Sequence, residues 1–155
     1  MNKYMKGFTL VEMMVTIAVL AIIIGIATPS FVEMMRQNTV RSQANELLAL
    51  MHYARSEAIK RRSNVEVAIS AGSGGNGWTA SVNIPGTSPI TGIRTLSNST
   101  SSSVVASTSI IFEANGRRSA TTNVSCIAIS YSGIVRTIHI GISGSLAVKQ
   151  TICPT

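Results

Sequence analysis

The feature that most constrains this chain is segment 8–28, Phe-Thr-Leu-Val-Glu-Met-Met-Val-Thr-Ile-Ala-Val-Leu-Ala-Ile-Ile-Ile-Gly-Ile-Ala-Thr. It is an apolar run of 21 residues interrupted by one carboxylate, Glu12. A helix rising about 1.5 Å per residue spans roughly 30 Å over that length, the hydrocarbon thickness of a bilayer. An ionised side chain at that depth costs about 2.5–3.5 kcal/mol on insertion scales, so a solitary acid near the start of a membrane helix implies a function.

The residues ahead of the run fix its orientation and processing. Lys3 and Lys6 precede it with no acid beside them. The positive-inside bias therefore keeps residues 1–7 cytoplasmic and exports the C-terminal part. A secretory signal is cut after its apolar region, beside small residues. Here the candidate cut, Lys6-Gly7 before Phe8-Thr9-Leu10-Val11-Glu12, lies in front of that region. Cutting there retains the greasy segment as the new N-terminus.

Roughly 120 residues remain beyond the anchor, enough for one small domain. The whole chain carries a formal charge of +7. From Arg36 onward eleven Lys and Arg face four Glu, again +7, which predicts attraction to polyanions or anionic surfaces. Cys126 and Cys153 are the only cysteines. An even count in an exported domain points to a disulfide, which for such a loop contributes roughly 3–4 kcal/mol. A metal site is the alternative, and two cysteines without CxxC spacing suit zinc poorly.

Pro29 follows the anchor and predicts a kink near Thr28 rather than a stop. Beyond it Val40, Ala44, Leu47, Met51, Ala54 and Ala58 recur at alternating four- and three-residue steps, with Leu48 and Ile59 widening the stripe. Arg41, Asn45, Glu46, His52, Ser56 and Lys60 take other faces, and Glu57 and Arg61 form a favourable i,i+4 pair. The pattern predicts one long helix from about Thr9 to Arg62, whose second half needs a sheet to cover its stripe. Strands are predicted at 65–70, 78–84, 109–113, 125–130, 134–142 and 146–152, the last three as a meander turning at Ser132-Gly133 and Ser143-Gly144. Residues 72–77 read as a hairpin connection, 85–103 as loop, and 97–103 as a mobile low-complexity stretch. The expected class is α+β, divided into a leader (1–7), a membrane helix (8–28) and an amphipathic helix with a β-rich head (29–155).

Catalysis finds no support in this composition. The chain contains no Asp, neither His52 nor His139 has a nucleophile and an orienting acid nearby, and residues 72–77 lack the lysine and helix of a phosphate cradle. No metal or cofactor is implied.

The order Gly7-Phe8-Thr9-Leu10-Val11-Glu12 resembles the prepilin signal of type IV pilins and type II secretion pseudopilins. The resemblance implies that a prepilin peptidase cuts after Gly7 and methylates Phe8. It also implies that Glu12 pairs with the free amine of a neighbouring subunit during filament assembly. The stretches Ser42-Gln43-Ala44-Asn45-Glu46-Leu47, Ala54-Arg55-Ser56-Glu57-Ala58-Ile59-Lys60-Arg61 and Phe112-Glu113-Ala114-Asn115-Gly116-Arg117 resemble the FimT/FimU/GspH minor pilins. Implied partners are other major and minor pilins, prepilin peptidase and the bacterial inner membrane, with the C-terminal domain periplasmic until it joins a pilus fibre.

Two further roles follow from the same resemblance. One is a minor pseudopilin of type II secretion. The other is DNA capture for transformation, for which the basic residues Lys60, Arg61, Arg62, Arg117, Arg118, Arg136 and Lys149 are candidates, with Arg94 adding charge. FimT-type members bind DNA through a Gly-Arg-x-Arg segment between their last strands. The corresponding stretch here, Gly144-Ser145-Leu146-Ala147, lacks both arginines, and Gly133-Ile134-Val135-Arg136 keeps only the second. The leading expectation is therefore a minor pilin that primes or joins pilus assembly.

Overall fold

The computed structural model describes residues 7–72, 77–86, 92–98, 102–104, 108–122 and 124–153. The leader residues 1–6, the tip of the first hairpin at 73–76 and Ser99–Ser101 of the low-complexity stretch lie outside them. The chain divides into two compact units, Met1–Met35 and Arg36–Thr155.

A single helix, α1 (Leu10–Arg61), contributes to both units, and Pro29 lies inside it without ending it. The helix stops where the chain turns left-handed at Arg62, with φ at 52°. There the Arg62 amide donates to the Ile59 carbonyl and the Ser63 amide to the Ala58 carbonyl, each at 3.3 Å. These two bonds satisfy carbonyls that the last turn would otherwise leave open. Lys60 and Arg61 in that turn also suit the negative end of the helix dipole.

In the second unit the predicted stripe is the buried face of α1. Val40, Ala44, Leu47, Met51, Ala54 and Ala58 are fully buried, joined by Leu50, Gln43 and Glu57. Ile59, expected to widen the stripe, is instead half exposed. Glu57 tolerates burial because Arg61 Nε meets its Oε1 at 2.6 Å.

Among the described residues, eight strands accompany the helix: β1 (Val65–Ala71), β2 (Trp78–Asn83), β3 (Gly92–Asn98), β4 (Ser103–Val104), β5 (Thr108–Phe112), β6 (Cys126–Tyr131), β7 (Ile134–Ile140) and β8 (Leu146–Lys149). They form two four-stranded sheets, ordered β3-β2-β1-β5 and β4-β6-β7-β8. Every pairing is antiparallel. Alternation places Val65, Val67 and Ile69 of β1 and Trp78, Ala80 and Val82 of β2 on one face. Ile127, Ile129, Ile138 and Ile140 from the second sheet join the same core as the helix stripe. Residues 132–133 link β6 to β7 with positive φ at both Ser132 and Gly133, the geometry of a two-residue hairpin turn that follows strand twist.

Two expectations are corrected. Residues 85–103 are not all loop, because Gly92–Asn98 is a seven-residue strand on β2 and Ser103–Val104 pairs with β6. The last strand ends at Lys149 rather than Ile152, and beyond it the chain is fastened by side chains and a disulfide.

Candidate assembly site and basic surface

Every residue from Gly7 to Arg36 is exposed, including Phe8 at 80% and Ile26 at 74%. α1 is long and apolar enough at its N-terminal end to cross a membrane. A surface greasy on all sides has no stable place in water and belongs among lipids or like helices.

The one acid in this surface has defined local geometry. Thr9 N–H and Thr9 Oγ1 both meet Glu12 Oε2, at 3.0 and 3.1 Å. In return the Glu12 amide donates to Thr9 Oγ1 at 3.2 Å. This Thr-x-x-Glu arrangement is a reciprocal cap that satisfies two amides at the helix start. Glu12 thus has a structural task inside its own chain, distinct from its expected role between subunits.

The head carries a second constellation, centred on Arg55. Its Nε donates to the Gly116 carbonyl at 2.8 Å and an Nη reaches the Ser143 carbonyl at 3.4 Å. Gly116 is left-handed at φ 77°, and a Cβ there would stand 2.7 Å from Ile59 Cδ1. Gly144, also left-handed, abuts the Gly116 carbonyl and the Arg55 guanidinium, so a side chain has no room. One helix turn, the 113–117 turn and the β7–β8 turn therefore meet at one cation. In the sequence Arg55 stands only within the stretch Ala54–Arg61 that carries the family resemblance, with no role of its own. Gly116, after β5, and Gly144, between β7 and β8, were its only trace. Arg55→Ala is expected to lower stability by about 1–3 kcal/mol, since both carbonyls lose a charged donor. Arg55→Lys is expected to recover only part, lacking the fork, and a urea titration of each variant measures both.

The candidate basic residues do not share one environment. Lys60, Arg61, Arg62, Arg117 and Lys149 are exposed. Arg61 is engaged with Glu57, and Arg62 is the left-handed residue that ends α1. Arg117 follows Gly116, which packs on Ile59, so its turn stands beside the last turns of α1. Arg94 lies over the Tyr53 ring, 5.5 Å from its centre. Arg118 is half buried, and its guanidinium holds the Thr122 and Val124 carbonyls. Arg136 is 7% exposed and stands opposite Ile129, in step with core residues Ile138 and Ile140. The Gln150 side-chain amide lies against its guanidinium. Burial removes Arg136 from any exposed phosphate-binding face, a correction to its place among the candidates. His52 is exposed and His139 half buried. Among the described residues no cluster of His, Cys, Asp and Glu has the makings of a metal site. Cys126 and Cys153 form a disulfide, with Cα atoms 5.6 Å apart.

Residues 2–28 match the prokaryotic N-terminal methylation motif, and residues 43–145 match the family described as type II transport protein GspH. No curated protein sequence matches the chain. The fold is shared with the type IV minor pilin FimU of Pseudomonas aeruginosa (strain PAO1) in two crystal forms. In space group P21 the identity is 24% and the TM-score 0.56, over 73% of this chain and 90% of that one. In space group P65 the identity is 24% and the TM-score 0.55, over 71% and 92%. With the family match spanning more than half of its length and the methylation motif at its start, the chain belongs to the GspH family of pilin-like minor pilins and pseudopilins.

Proposed function

We propose that this chain is a minor type IV pilin, a structural subunit that joins or primes a filament after prepilin peptidase removes residues 1–7. Segment 8–28 holds the subunit in the inner membrane with the head in the periplasm, then lies among like helices in the filament. The observation that carries this reading is the all-round apolar surface from Phe8 to Thr28 with a single acid five residues into the mature chain. A carboxylate has two acceptor oxygens, and the Thr9 contacts fall on Oε2. Oε1 remains for the Phe8 amine of a neighbouring subunit. In an apolar setting an unpaired carboxylate is expensive, so that pairing selects one axial register.

Mass spectrometry of protein purified from cells tests the first step. Phe8 is expected as the first residue, carrying a methyl group, and a chain that still starts at Met1 contradicts the reading. The GspH match favours a second role, as a minor pseudopilin of type II secretion. A deletion strain scored for twitching and for protein secretion separates the two, with twitching lost under the pilus reading.

A further inference from the structure

The disulfide does not sit in neutral surroundings. Cys126 is paired across the β6–β7 ladder with His139, and alternation places both on the face opposite Ile127 and Ile138. Cys126 Sγ lies 3.9 Å from His139 Nε2. The same nitrogen is 3.5 Å from Thr151 Oγ1. Thr137, two residues along β7, is fully buried and donates to the Thr151 carbonyl at 2.7 Å. The segment after β8 thus crosses the outer face of this sheet as a strap, with the disulfide at its end. Cys126, Cys153 and His139 are each only half buried. The charged neighbour on that face is Lys149, paired with Thr137, and Arg136 lies on the opposite face. No Asp or Glu side chain follows Glu113 in the sequence. The two sulfurs are therefore unequal. One has an imidazole beside it, and the other ends the strap.

We propose that Cys126–Cys153 is a directional thiol–disulfide exchange site for a dithiol carrier protein, in which Cys153 Sγ is attacked and Cys126 leaves as thiolate beside His139. In the reducing direction a carrier thiolate bonds to Cys153 Sγ. The Cys126–Cys153 bond breaks and its electron pair stays on Cys126. The carrier's second thiolate then attacks the carrier sulfur of the mixed disulfide and releases the Cys153 thiolate. The carrier is oxidised to its disulfide, this chain is reduced to two thiols, and the carrier's two thiol protons end on Cys126 and Cys153. Oxidation runs through the same steps in reverse, with Cys126 closing the bond onto a mixed disulfide at Cys153. A cationic or hydrogen-bonding imidazole stabilises a thiolate, and a leaving thiol of lower pKa departs faster. Because the β6–β7 register is what sets His139 opposite Cys126, rapid closure is confined to chains whose hairpin has already formed. The strap is then locked last, over a finished sheet.

The test uses the full chain in detergent, with glutathione as the probe. The protein is partly reduced, quenched by acid, alkylated and mapped by mass spectrometry. The glutathione adduct is expected on Cys153 and the alkyl group on Cys126, by about three- to tenfold over the opposite arrangement. His139→Gln is expected to slow reduction about three- to tenfold and to even out the two adducts, while His139→Lys, which places an ammonium beside Cys126, recovers the preference. An adduct mainly on Cys126, or equal adducts in the unaltered protein, overturns the proposal whether or not the variants fold. So does reduction of His139→Gln at the unaltered rate.

Discussion

Replacing Glu12 with Ala is expected to leave the protein inserted in the membrane while lowering its incorporation into filaments by at least about a hundredfold. The magnitude follows from what remains after the change. In the assembled state proposed above, the Phe8 amine of one subunit and the Glu12 carboxylate of another are both removed from water. Breaking a buried ion pair by deleting one partner costs about 3–5 kcal/mol, because the other charge stays buried and uncompensated. Membrane insertion moves the other way, since losing an acid from an apolar helix removes an unfavourable group. The structure adds a confounder, because Glu12 also caps its own helix through Thr9. Loss of such a cap costs about 0.5–2 kcal/mol by itself. Glu12→Gln separates the two effects. A glutamine keeps an acceptor for Thr9 and serves in a capping box, yet carries no charge. If charge pairing is the role, Gln fails to incorporate as Ala does. If capping is the whole role, Gln assembles normally and only Ala is impaired. Counting the tagged subunit in sheared filaments against the membrane fraction distinguishes these outcomes.

Much of the fold was legible because two patterns are strong. The helix stripe repeats for five turns without a wrong residue, and all six of its principal positions are buried. The strands that were found alternate cleanly, or end at turns such as Ser132-Gly133. What escaped has a physical reason in each case. In β3 the register opposes Arg94 to core residue Val82, while Ile93 falls in the other phase. The binary pattern is therefore broken at Ile93 and Arg94, and the strand is held by ladder bonds to β2, by Ile93 and Leu96 packing against the core and by Arg94 lying on Tyr53. Short Ser and Asn neighbours also have low strand propensity, so nothing local identified it. Arg136 misled in the opposite way. A charged residue on a strand reads as solvent-facing, yet its phase is that of Ile138 and Ile140. That phase was present in the sequence and was outweighed by the side chain's charge. The division into two sheets rests on contacts distant in sequence, such as β4 with β6, which no local pattern encodes. For the site, Glu12 and the cysteines were visible as singular residues. Arg55 was not, because its partners are backbone carbonyls 61 and 88 positions away.

Trp78→Ala is expected to be the most damaging single truncation in the head, lowering its unfolding free energy by about 3–5 kcal/mol. Trp78 is 1% exposed and is the largest fully buried side chain. It opens β2, where its backbone pairs with Ala71 on one side and Asn98 on the other, so both neighbouring strands register against it. Its indole Nε1 donates to Gln43 Oε1 across to α1, at 3.4 Å. Truncation removes the indole from the core and withdraws a donor from a helix amide that is itself 4% exposed. The first loss is one of packing and cavity formation, the second a buried hydrogen bond of about 1 kcal/mol. Trp78→Phe divides them, since it retains much of the ring volume without the N–H. Its cost is expected near 1–2 kcal/mol, with the balance up to the Ala value assigned to the void. A small domain holds about 5–15 kcal/mol in total, so the Ala variant forfeits a large share and is expected to unfold at markedly lower urea. Equal midpoints for Phe and Ala would mean that the hydrogen bond to Gln43, not the packed ring, is what Trp78 supplies. Because segment 8–28 is untouched by the change, the unfolded head remains tethered at the membrane, and its accumulation there without incorporation would show that the folded head is required for assembly.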